Sequence, residues 1–198
     1  MALPEEQPVR NRAQGLRRDR LTAAEYRRIG ETGVSRPDVR IELIDGEIVD
    51  IARTGSRHAG VVRHLARLLE RAMGDAAVVS VHSPVALSER SEPAPDIALL
   101  RPRADFYKGA HPQPADVLLI IEVADASLRY DRQIKLPLYA RYGIVEVWLV
   151  DLESDTVTSF SRPANGVYPA ARPVDVHTRA TLAGVSNVTL DFGAVLAR

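Results

Sequence analysis

The chain of 198 residues contains no cysteine. Disulfide bonds and thiolate metal sites are therefore excluded. The absence fits a reducing compartment, and the cytoplasm is the expected location.

Long apolar segments and a net charge are also missing. No stretch approaches the roughly 20 apolar residues that a membrane-spanning helix needs, and the N-terminus lacks the apolar segment of a signal peptide. We therefore expect no membrane partner. The 26 basic and 26 acidic residues cancel, so no overall charge attracts a polyanion.

Lysine is scarce, because arginine supplies nearly all of the basic residues and only Lys108 and Lys135 are lysines. Such a bias is typical of a GC-rich genome, so a retained lysine carries more information than usual. Two interpretations of Lys135 remain open. It is either a solvated helix lysine paired with Asp131, or an active-site cation that polarises water or stabilises charge on a phosphate.

The chain is expected to form a flexible N-terminal tail at 1–20 and a single domain at 21–198, since the tail lacks apolar periodicity. Thr22 and Glu25 have the spacing of a capping box at the start of a helix. In "VRIELIDGEIVDI", the Asp45-Gly46 pair between two alternating runs predicts a hairpin with a type I′ turn.

The segment "SRHAGVVRHLARLLERAMG" predicts the clearest helix, with Ser56 as its cap and Gly74 at its end. Apolar residues recur at helical spacing on one face, and arginines 63, 67 and 71 share another. His58 lies near the helix start and is expected to point inward.

Alternating and continuous apolar runs predict strands at 77–82, 96–100, 117–123 and 145–150. A helix is predicted from Asp131 to Tyr142, with Gly143 after it. The last two strands and this helix form one βαβ unit with parallel pairing. The expected fold class is α/β, a mixed sheet flanked by helices. The hairpin is expected to lead directly into the strands of this sheet.

Three carboxylates interrupt predicted strands, namely Glu42, Asp96 and Glu122. A buried ionised acid is unfavourable unless a cation or hydrogen bonds compensate it. For Glu42 by itself, an exposed position is favoured, because alternation along the strand can place it on the outer face. Asp96 and Glu122 could meet at one sheet edge, where carboxylate oxygens suit Mg²⁺ or Mn²⁺.

The segments "PDIALL", "IIEVADAS" and "YDRQIKLPLYARYGIVEVWLVD" resemble, in this order and spacing, the Uma-two (Uma2) family of restriction endonucleases. This family is a branch of the PD-(D/E)XK nuclease superfamily. The resemblance extends to "ELIDGEIV" and "HAGVVRHLARLL" and covers most of residues 20–160. It implies a restriction-endonuclease-like fold.

The resemblance also implies the site. Asp96 and Glu122 would bind Mg²⁺ or Mn²⁺, with Glu42 and His58 completing the ligands. The superfamily's lysine usually lies two residues after the second acid, but Ala124 stands there, so Lys135 is the candidate for a displaced lysine. The implied function is a metal-dependent endonuclease with DNA as substrate, and a homodimer is expected if two cuts are needed.

Two other functions remain open. One is a non-catalytic module that binds nucleic acid or protein and retains the nuclease fold; the other is a metal-dependent hydrolase with a small substrate. The intact set of acids and lysine favours the nuclease. Ser127 is interpreted as a structural cap. Tyr139 and Trp148 are interpreted as core residues, and the Tyr139 hydroxyl is expected to have a hydrogen-bond partner.

Overall fold

The structure is a computed structural model that describes residues 20–31, 40–51, 55–175, 179–181 and 189–197. The predicted tail lies outside these residues except for Arg20. The proposed single-domain boundaries stay a prediction.

The first described helix and hairpin follow the local signals in the sequence. Helix α1 (Ala23–Glu31) begins after the predicted capping box, in which Thr22 N donates to Glu25 Oε2 at 2.8 Å and Glu25 N to Thr22 Oγ1 at 3.3 Å. Strands β1 (Arg40–Ile44) and β2 (Glu47–Ile51) pair antiparallel. Between them, both turn residues have the positive φ of a type I′ turn, 48° at Asp45 and 83° at Gly46.

The β1–β2 hairpin forms a two-stranded sheet of its own and does not extend the main sheet. It is tied to residues 82–96, which connect the first two strands of the main sheet, by a hydrogen bond of 2.7 Å from Glu92 N to Leu43 O. The expectation that the hairpin leads directly into the main sheet is therefore wrong, because the two sheets are separate.

Helix α2 spans Ser56–Met73 and ends, as predicted, at Gly74, whose φ is 50°. Ser56 does not cap it. The helix begins at Ser56 itself, Gly55 occupies the capping position, and no side chain hydrogen-bonds there. The serine hydroxyl therefore lies inside the first turn, where it cannot serve the free N–H groups from outside.

The main sheet is mixed and has the strand order β3-β4-β5-β6-β7-β8 among the described residues. All neighbours pair antiparallel except β5 and β6, which pair in parallel. The strands are β3 (Val78–Val81), β4 (Ile97–Leu100), β5 (Val117–Ala124), β6 (Glu146–Asp151), β7 (Thr156–Ser161) and β8 (Ala171–Val174).

The connection from β5 to β6 is helical but is not the single regular helix predicted at 131–142. Helix α3 (Leu128–Tyr130) leads into a π-helical turn, Asp131–Lys135, and then into α4 (Leu136–Arg141). Pro137, in the first turn of α4, lacks the N–H that would continue the regular pattern through this turn. Instead Leu136 N donates to Asp131 O, five residues back.

The core lies on both faces of the sheet because successive strand residues point to opposite sides. On one face α2 contributes Leu65 and Leu69, which pack with Ile97 and Ile121. On the other face, Leu138 and Tyr139 of α4 pack with Ile120.

The C-terminal part adds a short antiparallel pair, β9 (Arg179–Thr181) and β10 (Thr189–Asp191), and helix α5 (Phe192–Leu196). The Phe192 ring lies 5.2 Å from that of Trp148, which is buried as predicted. Within the described ranges, no helix has the length and apolar character needed to cross a membrane.

Candidate active site

The pairing of β4 with β5 places two of the predicted acids side by side. Ile97 lies opposite Ile121, so the next pair along this antiparallel ladder is Asp96 and Glu122. Asp96 N is 3.4 Å from Glu122 Oε2, and Val123 N donates to Asp96 Oδ2 at 2.9 Å. The two carboxylates therefore share one edge of the main sheet.

Lys135 joins these acids to Glu42. Its Nζ lies 2.9 Å from Glu122 Oε1 and 3.2 Å from Glu42 Oε1. Lys135 is 5% exposed and Glu42 1%, so a solvated lysine and an exposed Glu42 are both wrong. The π-helical turn directs Lys135 inward, and the hairpin carries Glu42 over the sheet edge, where Ala94 N also donates to Glu42 Oε1 at 3.1 Å.

Two histidines contact Asp96, one at each carboxylate oxygen. His58 Nε2 lies 3.1 Å from Asp96 Oδ2, and His82 Nε2 lies 3.2 Å from Asp96 Oδ1. Burial acts to raise the pKa of Asp96, but the contacts with His58 and His82 outweigh it and hold that pKa below its usual value. Asp96 is therefore ionised at neutral pH.

Glu122 has the opposite electrostatic character. Burial raises the pKa of Glu122 to about 8; Lys135 opposes this change, and the neighbouring carboxylates add to it. Burial lowers the pKa of Lys135, yet the same acids raise it overall above its ordinary value. The cluster therefore holds more acidic groups than Lys135 alone can neutralise.

Two further side chains orient the cluster. The Tyr139 hydroxyl donates to Glu122 Oε1 at 2.6 Å, which supplies the partner expected for this core residue. Ser127 Oγ donates to Asp131 Oδ2 at 2.7 Å, and no side-chain cap bond forms at Ser127. Ser127 therefore occupies the capping position before α3, as interpreted, but its hydroxyl bonds the carboxylate of the next turn rather than a backbone N–H.

A cavity of about 330 Å³ opens onto these residues. All five predicted site residues line it, namely Glu42, His58, Asp96, Glu122 and Lys135. Arg40 lies two residues before Glu42 on β1, so both face the same side of the hairpin, and Arg40 also lines the cavity. Its half-buried side chain makes no hydrogen bond or ion pair with any residue that the structure describes.

Unpaired polar atoms concentrate at this cavity. Across the described ranges, the buried side-chain atoms without a hydrogen-bond partner are Glu42 Oε2, His58 Nδ1 and the Tyr130 hydroxyl. All three belong to residues that line the cavity. Buried polar groups are nearly always paired, so water or a polar ligand in the cavity is expected to pair with these atoms.

The chemistry of the donors fits the divalent cation that the family resemblance implies. Glu42, Asp96 and Glu122 supply carboxylate oxygens, and the buried Oε2 of Glu42 has no other partner. In the arrangement described, however, no three histidine or acidic side chains of the described residues converge on one point. Lys135 lies between Glu42 and Glu122, and the histidines engage both oxygens of Asp96, so a cation would require these side chains to turn.

Three residues of the cavity region were missed from the sequence, namely Arg40, His82 and Tyr130. Arg40 could have been found, because it is two residues from Glu42 on the same strand. The β3–β4 register sets His82 beside Asp96, since Val81 pairs with Ile97 and His82 N donates to Asp96 O at 3.1 Å. That register is not readable from apolar alternation.

Comparisons with known proteins agree with this architecture. The model of the Uma2 family, described as "Putative restriction endonuclease", matches residues 23–192. Among solved structures, a "putative nuclease belonging to DUF820" from Anabaena variabilis superposes with a TM-score of 0.66 at 13% sequence identity. The alignment covers 89% of this chain and 97% of that one. No curated protein matches the chain significantly.

The structural similarity establishes the fold, and the expected mixed sheet flanked by helices is confirmed. The family match spans most of the chain and confirms the resemblance seen in "PDIALL", "IIEVADAS" and the segment that follows them. The chain therefore belongs to the Uma2 family of restriction-endonuclease-like proteins.

Proposed function

We propose that this protein is a DNA endonuclease that depends on Mg²⁺ or Mn²⁺. The observation that supports it best is the meeting of Glu42, Glu122 and Lys135 beside Asp96 in one cavity. These residues come from four separate segments of the chain, and a purely structural role does not require acids and a lysine to converge on a cavity.

The acids would hold the cation, which supplies Lewis-acid activation of water and of the phosphate when bound. Glu42 offers its unpaired Oε2, and Asp96 and Glu122 lie side by side at the sheet edge. His58 is the fourth proposed ligand. Its Nε2 contacts Asp96, so it also fixes the direction of that carboxylate.

Lys135 and Tyr139 act around Glu122. The ammonium of Lys135 has three donors and uses two on Glu122 and Glu42, which leaves one for a phosphate oxygen or for the attacking water. The Tyr139 hydroxyl keeps Glu122 Oε1 in position. Positive charge close to the reacting phosphate stabilises charge that develops in the transition state.

DNA must approach a cavity rich in carboxylates, so cationic side chains around the cavity are needed to offset repulsion. Arg40 is one such group on the cavity wall. Arginines 63 and 67 are exposed on α2, whose first turn reaches the site through His58. Contacts of this kind bind phosphates independently of base sequence. They therefore support DNA as the substrate class but specify no recognition sequence.

The test is cleavage of supercoiled plasmid with Mg²⁺ or Mn²⁺, alongside EDTA. Asp96→Asn should abolish cleavage because it weakens a cation ligand without changing side-chain size. Asp75→Asn, at an exposed position after α2, is the matched control and should cleave as wild type does. Cleavage that persists in EDTA, or that survives Asp96→Asn, would contradict the proposal.

A non-catalytic module that binds nucleic acid is the second candidate. The observation in its favour is the lack of three convergent metal ligands in the described part of the chain. Wild-type protein that binds DNA but cleaves neither plasmid nor oligonucleotide with any divalent metal would support this alternative.

A further inference from the structure

Among the buried polar atoms of the described residues that lack a partner, the Tyr130 hydroxyl belongs to the one residue that the proposed mechanism does not use. Tyr130 is the last residue of α3 and directly precedes the π-helical turn that carries Asp131 and Lys135. Its ring is half-buried and lines the cavity, and its hydroxyl is shielded from solvent without a hydrogen-bond partner. Shielding a hydroxyl without pairing it lowers the stability of a protein.

The charge in the cavity limits what partner this hydroxyl can take. The acids around Tyr130 offer only acceptors when ionised, and Lys135 already uses two of its donors on Glu42 and Glu122. A phosphate also offers only acceptors and is repelled by the carboxylates. The Arg40 guanidinium and the remaining N–H of Lys135 are charged donors for a phosphate, and the uncommitted tyrosine hydroxyl is a further donor that adds no charge.

We propose that Tyr130 is a further catalytic residue, whose hydroxyl donates a hydrogen bond to a non-bridging oxygen of the phosphodiester bound in this cavity. The inference rests on the proposed nuclease function for the identity of the ligand. The Tyr130 hydroxyl would contact the phosphate both in the bound complex and during cleavage. Because the hydroxyl is shielded from solvent, this contact requires the tyrosine side chain to turn toward the cavity.

Tyr130→Phe tests the proposal, because it removes only the hydroxyl. The loss of an unpaired hydroxyl should leave the melting temperature unchanged or raise it. The affinity for a short DNA duplex is measured with Ca²⁺ to slow cleavage, and the single-turnover cleavage rate is measured with Mn²⁺. The product of affinity and rate should fall by about ten- to a hundredfold.

Tyr168→Phe is the matched control. The Tyr168 hydroxyl is paired, donating to Ile144 O at 2.7 Å, and Tyr168 is not among the residues lining the cavity. This variant should melt at a lower temperature than wild type and should bind and cleave DNA normally. The two tyrosines should therefore show opposite patterns of stability and activity.

A clear fall in the melting temperature of Tyr130→Phe would overturn the proposal, since the hydroxyl would then have a structural partner. Binding and cleavage equal to those of wild type would overturn it as well. If wild type binds DNA without cleaving it, the nuclease proposal fails, and weaker binding by Tyr130→Phe alone would still support the contact with phosphate. If the wild-type protein neither binds nor cleaves DNA, both proposals fail. This outcome is measured on the wild-type protein and does not depend on the variant.

Discussion

Replacing Lys135 with methionine should destabilise the protein strongly, because it removes a buried positive charge and keeps most of the side-chain volume. The Nζ atom lies 2.9 Å from Glu122 and 3.2 Å from Glu42, both buried. Removing one partner of a buried ion pair typically reduces the free energy of unfolding by about 3–5 kcal/mol. For a domain of this size, that corresponds to a fall of about 6–20 °C in melting temperature.

The loss should depend on pH. The pKa of Glu122 is raised from 4.5 to about 8, so between these values the folded protein holds a proton that the unfolded chain has released. Stability therefore falls as the pH rises through this window. Without Lys135 the acids repel one another more strongly, so the deficit of Lys135→Met should be larger at pH 8 than at pH 5, where Glu122 is protonated.

Thermal melts at pH 5 and pH 8 measure this effect, and Lys108→Met is the natural control because Lys108 is the other lysine of the chain and is exposed. Cleavage by Lys135→Met should fall by about a hundredfold or more if the ammonium stabilises the reacting phosphate. A variant that melts like wild type at pH 8 would refute the inferred buried charge network. Normal cleavage would instead refute the assignment of Lys135 as the displaced lysine.

Three further predictions address the cation and the DNA. Mn²⁺ at a hundred times its dissociation constant should stabilise the folded protein by about 2.7 kcal/mol, and unchanged melts at millimolar Mn²⁺ would argue against a metal site. Glu122→Gln should flatten the decline in stability between pH 4.5 and about 8 and reduce the Mn²⁺-dependent shift in melting temperature; a full Mn²⁺ shift would remove Glu122 from the ligands. Arg40→Gln should weaken DNA binding and lower its dependence on salt, while thermal melts stay near those of wild type; an unchanged salt dependence would exclude a phosphate contact.

The elements of the main sheet were predictable from the sequence because their apolar pattern is continuous. Runs such as "VLLIIEV" can form only a buried strand or a buried helix, and their length favours the strand. The Asp45-Gly46 turn was equally clear, since few residue pairs tolerate positive φ at both positions. What failed were helix boundaries, as at Ser56, where a one-residue shift decides whether a serine caps the helix.

The site was only partly predictable, for a different physical reason. An acid in an apolar strand stands out in the sequence, because burying its charge is unfavourable unless a cation or hydrogen bonds compensate it. Asp96 and Glu122 were predicted to belong to the site in this way. The Tyr130 hydroxyl and His82 give no such signal, since tyrosine and histidine commonly occupy half-buried positions without a special role. Only the tertiary arrangement shows that one lacks a partner and the other contacts Asp96.

The inward position of Lys135 is explained by the helical segment that carries it. Asp131, Lys135 and Tyr139 are spaced four residues apart, so they lie along one helical face, and all three are buried. Lys135 and Tyr139 both reach Glu122 Oε1, at 2.9 Å and 2.6 Å. A lysine at position 124 would have to reach the acid from the same strand. From the helix, the ammonium instead meets Glu122 from across the cavity and can contact Glu42 of the hairpin as well. Lys135 thus joins three parts of the fold: the helical segment between β5 and β6, strand β5 and the β1–β2 hairpin.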